Sequence, residues 1–314
     1  MKKIIQVIHI LILNLFLKLF SLLSILRIQN LLLNKIQKKK FEINKHRNFK
    51  NFISQISLKR KLISLDVGAS GGFNCDGAFS KKYENFFSPI LVEPNPYEAE
   101  KLKNQYIVIE KGLWSKNCTK KLYVTGKNYG GTSMYKPCKD GFSLYNPDED
   151  YFKLYNITDE IDLECTTIKD SLANLKIKEL DFLKIDTQGA EYEILKGIGS
   201  YFPLVIKIEV QLYPLYKDVP HWTEMLNYIH KLGYMLCAWE ESHSRVTQSP
   251  VQMDMIFIPN YLTEKGKNLI KVRENEFIFL MLIFGQIRLL KQISKKFQFK
   301  LDNNIDKLKD KFFY

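Results

Sequence analysis

"FLKIDTQGAEYEILKG" spans Phe182–Gly197. An apolar run broken by Lys184 ends in Asp186, Gly189 follows three residues later, and Glu191 opens a stretch with helical spacing. Apolar strands are buried, and a carboxylate in such a place is costly unless it is paired or used. The stretch therefore reads as a buried strand that delivers an aspartate to its carboxyl end and turns through glycine into a helix.

The same alternation runs on both sides of it. Strands are expected at 62–68, 88–94, 105–112, 180–186, 203–210, 234–241 and 253–259, with helices at 95–104, 190–198 and 222–233. Strands alternating with helices predict an α/β fold, a mostly parallel sheet covered on both faces. The short link between the last two strands makes them an antiparallel hairpin that closes the sheet. Residues 113–179 interrupt the alternation: 120–126 and 130–136 read as an added hairpin, and 162–172 as a strand entering a helix. With no repeat and no Pro/Ser-rich linker, residues 61–262 form one domain, in which 113–165 is an inserted region. Residues 1–60 and 263–314 flank it.

Charge separates these three parts. The formal net charge of +13 divides into +13 over residues 1–61, −7 over 62–264 and +7 over 265–314. A nucleic-acid-binding core would carry its positive charge on the folded domain, so nucleic acid is excluded as a partner. Basic ends beside apolar runs point to an anionic membrane surface instead. From Ile4 a long apolar stretch carries a polar residue every three to five positions, Lys18 among them, and then Lys38-Lys39-Lys40. A charge at mid-span is costly in a bilayer, and a helix lying in the interface fits this pattern better than a spanning one. The basic flank would keep the main domain on the cytoplasmic face of the membrane. Packing against a partner chain is the competing reading. Residues 276–300 repeat the theme, either as a second interfacial helix or as the last helix of the domain. Five scattered cysteines without C-x-x-C spacing argue against a disulfide framework or a zinc site.

In an open α/β sheet, ligands bind beyond the carboxyl ends of the strands. Asp66, Glu93, Asp186 and Glu209 all fall there. Gly68, Gly71 and Gly72 form a glycine-rich turn that lets backbone approach a ligand. The spacing is D-x-G-x-x-G-G, so the dinucleotide fingerprint fails, which disfavours a nicotinamide-dependent oxidoreductase. Glu93 stands 21 residues after Gly72, a position suited to accepting hydrogen bonds from ribose hydroxyls.

"DVGASGG" (66–72), "VEPNP" (92–96), "TTIKDSL" (166–172) and "DFLKIDTQGAEYEILKG" (181–197) occur in this order. Together they resemble the FkbM family of S-adenosylmethionine-dependent methyltransferases, over about residues 61–260. Lys184, Ile185, Asp186, Gly189 and Glu191 carry the most specific motif; Gln188 stands where many members have Glu, and Ser70 replaces a glycine of the general methyltransferase pattern. The resemblance implies a Rossmann-like class I methyltransferase fold with seven strands, and O-methylation of a sugar or polyketide hydroxyl. A sugar hydroxyl in a cell-surface glycan or its lipid-linked precursor is the expected acceptor, because the basic, apolar ends suit a substrate at a membrane. Asp66 with Gly68, Ala69, Ser70, Gly71 and Gly72 would surround the methionine part of S-adenosylmethionine, and Glu93 with Pro94 and Asn95 would hold its ribose. An acidic rim suits the ammonium and sulfonium groups. A hydroxyl acceptor benefits from a base, for which Asp186 comes first, Glu209 second and His221 third. Asp186 could equally cap the following helix or contact the donor's amino group; Glu191 reads as structural. Asp186 and Glu209 could alternatively hold a divalent metal, Mg²⁺, but no third ligand is in view. A membrane-anchored, non-catalytic binding module that keeps the fold is the remaining alternative.

Overall fold

The computed structural model describes residue 53 and residues 56–126, 129–243 and 249–299. The expected N-terminal interfacial helix and the basic residues after 299 lie outside the described residues.

Ten strands form in chain order: β1 (Leu62–Val67), β2 (Phe87–Val92), β3 (Ile107–Ile109), β4 (Gly112–Leu113), β5 (Cys118–Thr125), β6 (Ile157–Thr166), β7 (Phe182–Ile185), β8 (Val205–Gln211), β9 (Tyr234–His243) and β10 (Pro250–Pro259). Seven make one sheet in the order β3-β2-β1-β7-β8-β10-β9. Its pairs are parallel from β3 to β8, and β10 runs antiparallel to both β8 and β9. The expected closing hairpin is therefore present. The four residues of β7 are all buried, as a central strand covered on both faces requires.

The sheet's two faces have different covers. Leu65, Leu183, Ile206 and Ile208 pack against α5 (Glu191–Lys196) and α6 (Trp222–Leu232). Leu62, Phe87, Phe182 and Val205 pack with α8 (Glu274–Ile283) and α9 (Ile287–Phe297). These follow α1 (Pro96–Leu102), α2 (Lys139–Tyr145), α3 (Glu149–Lys153), α4 (Ile168–Asn174) and α7 (Glu264–Val272) in the chain. Every residue from Phe277 to Ile283 is buried. A helix apolar on all sides belongs inside a core, and here α8 sits against the sheet. Its apolar side chains are thus taken up by the protein. Among the described residues no helix is long and apolar enough to cross a membrane.

Two expectations need correction. The 105–112 run is two strands, β3 in the main sheet and β4 in a second sheet ordered β4-β6-β5. Gly112 permits the transfer, because a Cβ there would lie 2.7 Å from both Cys165 Sγ and Met134 Cε. The partner of β5 is β6, not residues 130–136, which form one isolated bridge between Tyr123 and Ser133. The longer β6 pairs along the whole of β5, whereas a Gly-Gly start weakens the shorter segment.

At the end of the sheet away from the glycine turn, fully buried Asp181 fastens these layers. It accepts from the Ile63 amide at 2.6 Å, from Arg60 Nη1 at 2.6 Å and from Arg273 Nη2. Arg273 also donates to the carbonyls of Leu180 and Phe202, so one carboxylate joins β1, β7 and the C-terminal helices. Breaking a buried pair strands the other charge. Asp181→Ala is expected to cost about 3–5 kcal/mol in chemical denaturation, through Arg273 left buried without its counterion.

Candidate functional site

β1, β7 and β8 each carry charged residues among their apolar ones. Asp66 pairs in register with Lys184, and Lys184 with Lys207. Lys184 is 2% exposed, with its Nζ 3.1 Å from Asp66 Oδ1 and 3.8 Å from Asp186 Oδ2. Burial alone would lower the ammonium's pKa, but Asp66, Asp186 and Asp76 together hold it above its usual value. Lys207 repeats the arrangement one strand along, 2.6 Å from Asp76 and 2.8 Å from Asp254.

The glycine turn leaves β1 over these charges. Gly68 has φ +80°, and a Cβ on it would lie 1.8 Å from the Asp186 carbonyl oxygen. Only glycine lets the two strand ends approach this closely. Gly68 and Ala69 both donate to the Val92 carbonyl, which fixes the turn beside β2. The turn borders a cleft of about 200 Å³ lined by Gly68, Ser70, Glu93, Pro94, Asp186 and Gln188, among others. The opposite wall comes from the second sheet and its loop, through Leu113, Leu122 and Met134.

Glu93 is 5% exposed, and burial pushes its carboxyl up to about 7 against the hydrogen bond it accepts from the Asn95 amide at 2.9 Å. Asn95 in turn caps α1 by accepting from the Tyr97 amide at 3.0 Å, and its buried Nδ2 has no protein partner. The Asn95-Pro96-Tyr97 stretch is thus a helix start.

Asp186 does not cap α5. Glu191 folds back instead, accepting from the Thr187 amide at 2.8 Å and from the Gly189 amide at 3.0 Å. The Asp186 carboxylate accepts from Gln188 Nε2 at 3.2 Å, and the same nitrogen donates to Glu209 Oε2 at 2.7 Å. Gln252 adds a second amide on Glu209 at 3.0 Å. Burial, with the carboxylates of Asp186, Asp254 and Glu191, pushes Glu209 well above the carboxylate range.

The residues singled out from sequence therefore do not all reach the cleft. Gly68, Ser70, Glu93, Pro94 and Asp186 line the cleft. Asp66 is turned away beneath it, 1% exposed, bound to Lys184 and the Asn74 amide. Ala69 and Asn95 are buried, Gly71 is exposed beside Cys75, and a side chain at Gly72 would point at Leu102 and Tyr106. Glu209 is not among the residues lining the cleft and joins Asp186 through Gln188 Nε2. His221 is exposed and caps α6, its Nδ1 2.8 Å from Thr223 Oγ1. Among the described residues no three His, Cys, Asp or Glu side chains are grouped to hold a metal. Sequence reasoning gave Lys184 no role beyond its place in the motif, and overlooked Lys207, Gln252 and Ser133. The two lysines were detectable, as charges inside otherwise apolar strands.

A family model for the methyltransferase FkbM domain matches residues 66–236, more than half of the chain. The chain belongs to the FkbM methyltransferase family. Membership makes it a methyltransferase and implies S-adenosylmethionine as the methyl donor. No curated protein matches it. Among solved structures, an E. coli prophage-encoded protein described as a DNA modification methyltransferase is 10% identical with a TM-score of 0.33, covering 64% of this chain and 48% of that one. TYW2 of M. jannaschii, solved in complex with AdoMet, is 13% identical with a TM-score of 0.25, covering 69% and 79%. The chain thus spans about half the length of the first. Likenesses this weak carry no argument about its activity.

The residues present fit such a donor. The Gly68 backbone forms a cradle that a Cβ would fill, Asn95 Nδ2 is a buried donor without a protein partner, and no cation is paired to the Glu93 carboxylate among the described residues. Glu93→Gln keeps the shape of the side chain and removes its titration. A calorimetric pH series of S-adenosylmethionine binding should show affinity rising as pH passes up through about 7 in the wild type, because the ionised carboxylate is the better acceptor, and a flat profile in Glu93→Gln.

Proposed function

We propose that this FkbM-family protein is an O-methyltransferase acting on a sugar hydroxyl of a cell-surface glycan or its lipid-linked precursor, on the cytoplasmic face of a membrane. One observation carries the reading: Glu93 and Asp186, two carboxylates with different surroundings, line a single cleft. Glu93, beside a helix start, accepts the ribose hydroxyls. The backbone of Gly68–Gly72 passes close to the methionine part, and the surplus of carboxylates around Lys184 and Lys207 suits a ligand with ammonium and sulfonium charges. S-adenosylmethionine supplies an electrophilic methyl group on sulfur. The acceptor hydroxyl is a poor nucleophile until its proton leaves, and Asp186 takes that proton at the mouth of the cleft. Most of the remaining acceleration is positioning in a cleft closed by the second sheet. The membrane setting rests on the basic, apolar ends of the chain, which suit an acceptor presented at an anionic surface.

Three outcomes follow from this assignment. Glu93→Ala should weaken S-adenosylmethionine binding roughly tenfold to a hundredfold, the usual worth of hydrogen bonds to a charged acceptor; no measurable binding by the wild type would defeat the whole reading. With glycans or glycolipids extracted from the source organism as acceptors, Asp186→Asn should reduce methyl transfer by about 10²–10⁴-fold while donor binding changes little. Removing residues 1–40 should release the protein from the membrane pellet into the supernatant, and unchanged pelleting would refute the anchor.

A further inference from the structure

In this site two carboxylates depend on one neutral side chain. Gln188 has φ +59°, in the left-handed region that residues with side chains seldom occupy. The conformation is held from both sides. Ser133 Oγ donates to the Gln188 carbonyl at 2.7 Å, and Glu191 takes the amides of Thr187 and Gly189. The side-chain amide is thereby aimed between Asp186 Oδ1 at 3.2 Å and Glu209 Oε2 at 2.7 Å. An NH₂ group has two hydrogens, so both bonds form at once.

The two carboxyl groups are otherwise treated unequally. Asp186 lines the cleft and has Lys184 at 3.8 Å. Glu209 does not line the cleft and is held by the amides of Gln188 and Gln252. Facing the pair are Lys184 from β7, Glu191 from α5, Lys207 from β8, Asp254 from β10 and the Tyr216 phenol from the segment after β8. Two carboxyl groups sharing a site cannot both ionise freely.

We propose that Gln188 is a positioning residue for methyl transfer: its amide ties the cleft-facing Asp186 carboxylate to the Glu209 carboxyl and holds Asp186 in place for the acceptor hydroxyl. The inference rests on Asp186 being the base for the acceptor hydroxyl. In it, burial and the neighbouring carboxylates favour the protonated form of Glu209, and Asp186 is aimed at the cleft. The hydroxyl proton passes to Asp186, so Glu209 need not exchange with the acceptor.

The test is a ¹³C NMR titration of the full chain labelled at the Asp and Glu carboxyl carbons, with signals assigned through Asp186→Asn and Glu209→Gln. Gln188→Asn tolerates the left-handed backbone but is one methylene too short to reach both carboxyl groups. Gln188→Leu removes the donor altogether. Each should raise the Glu209 midpoint by about one unit or more and also move that of Asp186, since loss of a donor disfavours the charged form. Gln252→Leu should move Glu209 and leave Asp186 in place. A merely structural role would lower the melting temperature of the Gln188 variants without changing either titration, and that result would overturn the proposal. If Gln188→Leu does not fold, Gln188→Asn decides the question by the same criterion. Calorimetry with S-adenosylmethionine runs beside it: wild type that fails to bind defeats the methyl-transfer role, whatever the titration shows.

Discussion

The Lys184 ammonium is the constraint on which the site depends. It sits in the middle of the sheet, 2% exposed, where a lone cation would lose its proton. Asp186 supplies countercharge from the end of its own strand and Asp66 from the strand beside it, with Asp76 adding to it from the segment after the glycine turn. Asp66 is therefore committed inward, and Asp186 is held where β7 ends. The glycine turn must then cross directly above, which explains why Gly68 cannot carry a side chain against the Asp186 carbonyl. Replacing such a pair by hydrocarbon is often harmless to stability, so its retention fits a site better than a core.

Charge is distributed with a purpose around that centre. Lys184 and Lys207 each bridge two carboxylates, while Glu93 and Glu209 have no cation partner among the described residues. The surplus is negative, and burial raises the pKa of both of these glutamates. A donor bearing sulfonium and ammonium groups fits such a pocket without any anion-binding helix end. The second sheet matters equally, because Leu113, Leu122 and Met134 close the cleft with apolar surface and strengthen every charge inside it.

Periodicity and strand-end chemistry made much of this legible in advance. The positions of most strands along the chain follow from apolar runs, the antiparallel closing hairpin from the short link between the last two, and the convergence of Glu93 and Asp186 on one edge from the acids that end their strands. The inserted region was not legible. Residues 130–136 have strand-like composition, yet they line the cleft and bond to Gln188, because β5 finds a longer partner in β6. The roles of Asp66 and Asp186 were equally hidden, since an aspartate at a strand end looks the same whether it faces a ligand or a neighbouring lysine.

What the sequence determined by itself is the fold and the family. Local pattern dictates where strands and helices form, and the Lys184–Glu191 motif is specific enough to name the relatives. Only the tertiary structure decided which carboxylate faces the cleft, which is buried against Lys184, and that Gln188 joins Asp186 to Glu209. Those contacts link strands and loops far apart in the chain, and their geometry depends on register and on a left-handed residue at 188 that no local periodicity records.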